Sequence, residues 1–128
     1  MTGDFHATTT NLGDGLAVVV VGGEADLYTA PQLKKALGAA LDGGARYVLV
    51  DLSSTTFIDS TTLGVLMGAV RRVRPEGGEL AIACNDANIR RIFEITLLDR
   101  VFRIFDAPDE GLAHLRNGAN GSAAAQAG

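Results

Sequence analysis

The chain has 128 residues and a formal net charge of −4, which is one domain's worth of protein, long enough to bury about two-thirds of the surface it exposes when unfolded. Apolar residues make up 47% and charged residues 20%, proportions that exclude disorder of the whole chain. One cysteine, Cys84, excludes an internal disulfide framework and a cysteine-rich zinc site, and His6 and His114 share no ligand spacing.

The elements follow in chain order. Residues 5–12 are threonine-rich and modestly alternating, and an N-L-G-D-G turn cluster leads into L-A-V-V-V-V at 16–21. That β-branched run, bounded by glycines, predicts a strand buried on both faces, paired with the first as a hairpin. Thr29, three residues before Gln32, predicts a capping box, with Pro31 in the first turn. Leu33, Leu37 and Leu41 then recur at helical spacing beside Ala36 and Ala40. Residues 47–52 (Y-V-L-V-D-L) predict a second buried strand. The helix over 60–74 carries Leu63, Leu66, Met67, Val70 and Val73 on one face, with Met67 as core filler. Residues 80–84 predict a strand after the Gly77-Gly78 turn, with Cys84 a buried small hydrophobe. A helix over 87–97 has Asp86 as its cap and Ile89, Ile92 and Phe93 inward. A strand over 101–105 precedes a helix from Pro108 that buries Leu112 and Leu115.

The order is ββαβαβαβα, which predicts an α/β fold with a mixed, mainly parallel sheet of about five strands and about four helices. The folded body spans 4–116. Residues 117–128 hold only Asn, Gly, Ser, Ala and Gln, with no large apolar side chain to bury, and read as a disordered tail. Acidic balance argues against nucleic acid as a partner. No apolar run approaches the roughly 18 residues of a membrane span. The first four residues lack the charged start and apolar run of a secretory leader. A cytoplasmic protein with neither nucleic acid nor membrane as partner is expected.

The most unusual segment is Phe57-Ile58-Asp59-Ser60-Thr61-Thr62-Leu63-Gly64. Asp59 or Ser60 stands at the helix N-cap, and three hydroxyls crowd the first turn. Unpaired N–H groups and the helix dipole favour an anion there, and a phosphate on Ser60 would carry about −1.5 to −2 charges. Ordinary capping accounts for the same residues.

Two motifs then resemble the STAS domain of bacterial anti-sigma factor antagonists. One is Gly23-Glu24-Ala25-Asp26 followed by Thr29-Ala30 and a helix. The other is Val50-Asp51-Leu52, six residues before Ile58-Asp59-Ser60-Thr61-Thr62-Leu63-Gly64-Val65-Leu66. Gly77-Gly78-Glu79-Leu80, and Thr96-Leu97-Leu98 followed by Phe102-Arg103-Ile104, are similar to further segments of that family. The resemblance covers about residues 5–115. It implies a STAS-type fold and a switch protein, not an enzyme, that holds no cofactor. Such a protein binds an anti-sigma factor, often a serine kinase of the histidine-kinase-like ATPase class, and so releases a sigma factor. The kinase phosphorylates the residue matching Ser60, the phosphorylated form lets go, and a phosphoserine phosphatase resets it. Asp26 and Asp59 match the family's acidic residues. The partner surface implied comprises Asp26, Tyr28, Thr29, Asp59, Ser60, Thr61 and Thr62, with Tyr28 as an aromatic anchor. The family pattern is usually Asp-Ser-Ser-Gly-Leu-Gly. Thr62 replaces its Gly with a β-branched side chain, which is expected to narrow a kinase's approach or change which hydroxyl is used.

Other residues have plainer readings. Asp51 faces the Ser60 site or caps a turn with Ser53 and Ser54. Arg71, Arg72 and Arg74 suit a helix C-terminus or meet an acidic partner, and Arg90 and Arg91 read alike. A phosphorelay receiver needs a lysine near a strand end, and Lys34 and Lys35 lie on the first helix. No Ser–His–Asp set and no glycine-rich phosphate loop is present. The alternative role is a stand-alone STAS subunit of a transporter or stress-signalling complex without a phosphorylation cycle.

Overall fold

The computed structural model describes residues 4–127, with the backbone alone over 121–127. The leader reading at residues 1–3 and the last residue of the expected tail lie outside the described residues. Five strands run β1 (His6–Gly13), β2 (Leu16–Ala25), β3 (Tyr47–Ile58), β4 (Glu79–Ala83) and β5 (Arg103–Phe105). They lie in the sheet in that same order. β1 pairs antiparallel with β2 through the turn in which Gly13, Asp14 and Gly15 all have positive φ. The pairs β2–β3, β3–β4 and β4–β5 are parallel. The mixed, mainly parallel sheet and the order ββαβαβαβα are those the sequence predicts.

Helices α1 (Ala30–Asp42), α2 (Ser60–Val73) and α3 (Ala87–Ile95) share one face of the sheet. Leu33 and Leu37, Leu66 and Val70, and Ile89 and Phe93 meet Val19, Val48, Val50 and Ile82 there in one core. α4 (Pro108–Ala127) covers the other face, where Leu115 packs on Leu49, Ala81 and Ala83. Inward residues alternate along β3, Val48 and Val50 going to one core and Leu49 to the other, as a strand buried on both faces requires. Met67, Leu41, Ile92 and Leu112 are only half-buried. Burial pushes the Cys84 thiol above its ordinary pKa.

Several boundaries differ from the sequence reading: β2 runs on to Ala25, α3 stops at Ile95 and β5 begins only at Arg103, and two further differences are larger. β3 continues six residues past Leu52, through Ser53-Ser54-Thr55-Thr56-Phe57 to Ile58. Its polar stretch reads as a turn, and Asp51 Oδ1 does accept from the Ser53 N–H at 2.9 Å. Pairing nonetheless resumes, because Thr55 is buried and donates its hydroxyl to the Val21 carbonyl at 2.9 Å. The described backbone carries α4 past residue 116 and on to Ala127. The helix is already nucleated, its added residues are rich in alanine, the best helix former, and Gly118 packs against the Tyr47 ring.

Candidate functional site

The site is built where β2 and β3 end. Ala25 pairs with Ile58 at the C-terminal ends of these two parallel strands, so the segments leaving them run side by side. α/β proteins place their working residues at such ends.

The segment after β2 folds on Asp26. Its Oδ1 accepts from the N–H groups of Tyr28 at 2.9 Å and Thr29 at 3.0 Å, an Asx-type turn. The Thr29 hydroxyl accepts from the Asp26 N–H at 2.8 Å and faces the Glu24 carbonyl at 3.0 Å. Thr29 is the N-cap of α1, yet its side chain makes no cap bond. The capping box expected with Gln32 is therefore not formed. Thr29 has helical φ and ψ of −95° and −9°, not the extended backbone that aims an N-cap oxygen into the first turn.

The segment after β3 folds on Asp59. Its backbone is extended, and Oδ1 accepts from the Thr62 N–H at 3.0 Å, which settles Asp59 as the N-cap of α2. Its other oxygen, Oδ2, accepts from the Leu27 N–H at 3.1 Å, 32 residues back in the chain. Thr62 adds a second tie: fully buried, it donates its hydroxyl to the Ala25 carbonyl at 2.6 Å. Two residues of the α2 start thus stitch it to the β2–α1 segment.

Ser60 is left as the first residue of α2, exposed, with no side-chain hydrogen bond among the described residues. Asp59 takes the N–H groups of Thr62 and Leu63, which leaves those of Ser60 and Thr61 without an intrahelical acceptor. Three large apolar side chains are exposed at this end of the sheet: Tyr28 (86%), Leu27 (62%) and Phe57 (48%). Thr61 is half-buried and opens onto a groove of about 430 Å³ between α1 and α2, floored by Leu37, Gly64 and Gly68.

The structure thus brings Asp26, Tyr28, Thr29, Asp59, Ser60 and Thr61 to one end of the fold. Thr62 is a correction. Its side chain turns inward, so it offers neither a contact surface nor a free hydroxyl, and it does not narrow any approach to Ser60. Leu27 and Phe57 are the residues that sequence reasoning did not assign to the surface. Their signal was present only as apolar side chains beside the Asp26 and Asp59 turns. Asp51 takes its turn reading, with the Ser53 hydroxyl 2.6 Å from Oδ1. Arg72 pairs with Asp42 at 3.0 Å, and Arg90 pairs with Asp106. No group of three or more His, Cys, Asp or Glu residues among those described is placed to hold a metal ion. No helix among the described residues is long and apolar enough to cross a membrane.

Residues 8–111 match the STAS domain family. This chain belongs to that family. Among the relatives of this STAS domain is the anti-sigma-B factor antagonist of Staphylococcus aureus, 36% identical over 97 residues, 76% of this chain and 88% of that protein. An anti-sigma factor antagonist from Mycobacterium paratuberculosis superposes with a TM-score of 0.80 at 28% identity, covering 91% of this chain and 99% of that one. A sulfate transporter family protein from Wolinella succinogenes superposes at 0.72 with 14% identity, covering 87% and 93% of the two chains. That last likeness is one of fold alone, so the fold does not separate antagonists from transporter domains.

Proposed function

We propose that this STAS domain is an anti-sigma factor antagonist whose grip on its partner is switched by phosphorylation of Ser60. The observation that carries the reading is the position of Ser60: exposed, first in α2, its side chain without a hydrogen bond among the described residues, and on the end of the sheet where Leu27, Tyr28 and Phe57 stand exposed. The names of the relatives in Staphylococcus aureus and Mycobacterium paratuberculosis support the antagonist role.

The partner is an anti-sigma factor with serine kinase activity of the histidine-kinase-like ATPase class. ATP and magnesium belong to that partner, and a separate phosphatase resets the switch in the cytoplasm. The domain itself catalyses nothing. Its contact surface comprises Asp26, Tyr28, Thr29, Asp59, Ser60 and Thr61, with Leu27 and Phe57 added. Thr62 acts from beneath, by holding the two segments together.

Electrostatics explains the release. A phosphate on Ser60 places about −1.5 to −2 charges beside Asp59 and inside a contact that is otherwise apolar and hydroxyl-rich. Asp59 repels that charge in the free and the bound domain alike, so the loss of affinity comes from the contact itself, where burying an uncompensated charge costs about 3 to 5 kcal/mol. Each 1.4 kcal/mol is about tenfold in affinity, so one to several decades are lost. The helix N-terminus returns only about 0.3 to 2 kcal/mol, and it does so in the free protein. No change of fold is needed.

Intact-mass analysis after incubation with the candidate anti-sigma kinase and magnesium-ATP tests this reading. One phosphoryl group is expected on the wild type and none on Ser60→Ala, which keeps its fold because the hydroxyl holds nothing in place. Kinase binding without phosphorylation overturns the switch but keeps the antagonist. Phosphorylation that persists in Ser60→Ala moves the acceptor away from Ser60. Absence of both binding and phosphorylation overturns the antagonist reading.

A further inference from the structure

A second cleft lies at the opposite end of the sheet from Ser60, where the parallel strands begin. It has a volume of about 540 Å³ and is bounded by the end of α2, the starts of β4 and β5, and α4. Three arginines line it: Arg74, Arg100 and Arg103, all exposed. None of the three takes part in an ion pair among the described residues. Arg74 is oriented by donating to the Val101 carbonyl at 3.2 Å. The cleft's single carboxylate, Glu79, is engaged by His114 Nε2 at 2.8 Å.

The walls are fixed as well as charged. Tyr47 is buried, and its hydroxyl lies 3.3 Å from the carbonyl oxygens of both Gly77 and Gly118. At Gly78 an added Cβ would come within 1.9 Å of the Arg46 carbonyl oxygen, so this wall is bare backbone held against its neighbour. On a chain of net charge −4, three arginines line one cleft whose single lining carboxylate is already bonded to a histidine, which gives the cleft a local field of opposite sign. Guanidinium forks match phosphate oxygens, and a cleft of this size falls in the range of small-molecule sites.

We propose that this cleft binds a small ligand carrying two or more phosphate groups. The site is separate from the Ser60 surface, and the assignment does not depend on the antagonist reading. Charged oxygens sit against Arg100 and Arg103, Arg74 closes the side nearest α2, and Leu80 and Val101 supply the apolar part of the wall.

The test is a two-dimensional NMR titration of the full chain with sodium pyrophosphate at constant ionic strength, repeated with citrate. Saturable shifts confined to residues 77–80 and 100–103 are expected. Arg100→Gln and Arg103→Gln should each weaken pyrophosphate about tenfold, the loss of one hydrogen bond between charged groups. Arg91→Gln, an exposed arginine on α3 outside the cleft, should leave binding unchanged. The proposal is overturned by non-saturating shifts, by shifts that centre on the start of α2, by equal affinity for citrate, or by equal weakening in Arg91→Gln. A thermal melt of each variant shows whether the fold is intact. Should one fail to fold, Arg100→Lys keeps the charge, removes the fork, and is expected to weaken binding in the same direction.

Discussion

The starts of α2 and α3 look alike in sequence and differ in what they do. Each follows a strand and begins behind an aspartate with extended backbone. At α3, Asp86 gives one oxygen to two N–H groups of its own helix, Asn88 at 2.8 Å and Ile89 at 3.1 Å. At α2, Asp59 divides its oxygens, one for its own helix and one for Leu27 in a different segment. The first is a local cap. The second is a cap and a long-range clamp in one side chain, and it lies beside the proposed switch. Identical residue types at identical helix positions can therefore carry different amounts of tertiary structure.

Alanine at each aspartate breaks or sharpens that contrast. Asp59→Ala should lose about 2 to 4 kcal/mol, since both the cap and a charged bond to a backbone N–H disappear. Chemical denaturation would show it, and a loss no larger than a single cap's would deny Asp59 its clamp. Thr62→Val comes next. It leaves the buried Ala25 carbonyl without its hydroxyl partner, at a cost of about 1 to 3 kcal/mol. Amide exchange of residues 26–29 should speed up in this variant, whereas exchange at residues 88–90 should not. Asp86→Ala should cost about 1 kcal/mol, the value of an ordinary cap, and leave residues 26–29 undisturbed. The smallest effect concerns Cys84, which lies just before the α3 cap. Its folded pKa is raised mainly by burial. The folded state therefore keeps the proton longer than the unfolded chain does. The stability tied to that proton is whole below the unfolded thiol's pKa and is lost as pH rises through the folded one. Cys84→Ala should flatten the alkaline end of a stability–pH curve, and an unchanged slope there would contradict the shift.

Sequence and structure agree at most places where the determining contacts are local or periodic. The L-A-V-V-V-V run, the helical spacing of Leu33, Leu37 and Leu41, and the Asp86 cap all announce themselves within a few residues. Ser60 at a helix start is legible for the same reason. Much of what stays hidden is set by distant partners, and some by local competition that the pattern does not single out. Thr55 and Thr62 are polar residues that read as surface, and each is buried because its hydroxyl meets a β2 carbonyl more than 30 residues away. The Thr29–Gln32 pattern fits a capping box, but Asp26 captures the threonine first. At Leu97 the chain takes a left-handed φ of 62° with a leucine, a conformation that costs an L-residue roughly 1 to 2 kcal/mol and that no local signal predicts.

The order of strands in the sheet bears on how the chain reaches this state. Because β1 to β5 lie side by side in the order in which they are encoded, every strand after β1 pairs with the one that precedes it directly in the chain. No strand must wait for a distant, later segment before it finds a neighbour. Only the β1–β2 turn is short; each of the three parallel pairs is closed by a crossover that carries one helix, so the hairpin is the pairing with the smallest closure cost. A polypeptide leaving the ribosome amino end first can extend its sheet one strand at a time, keeping few unpaired edges open along the way.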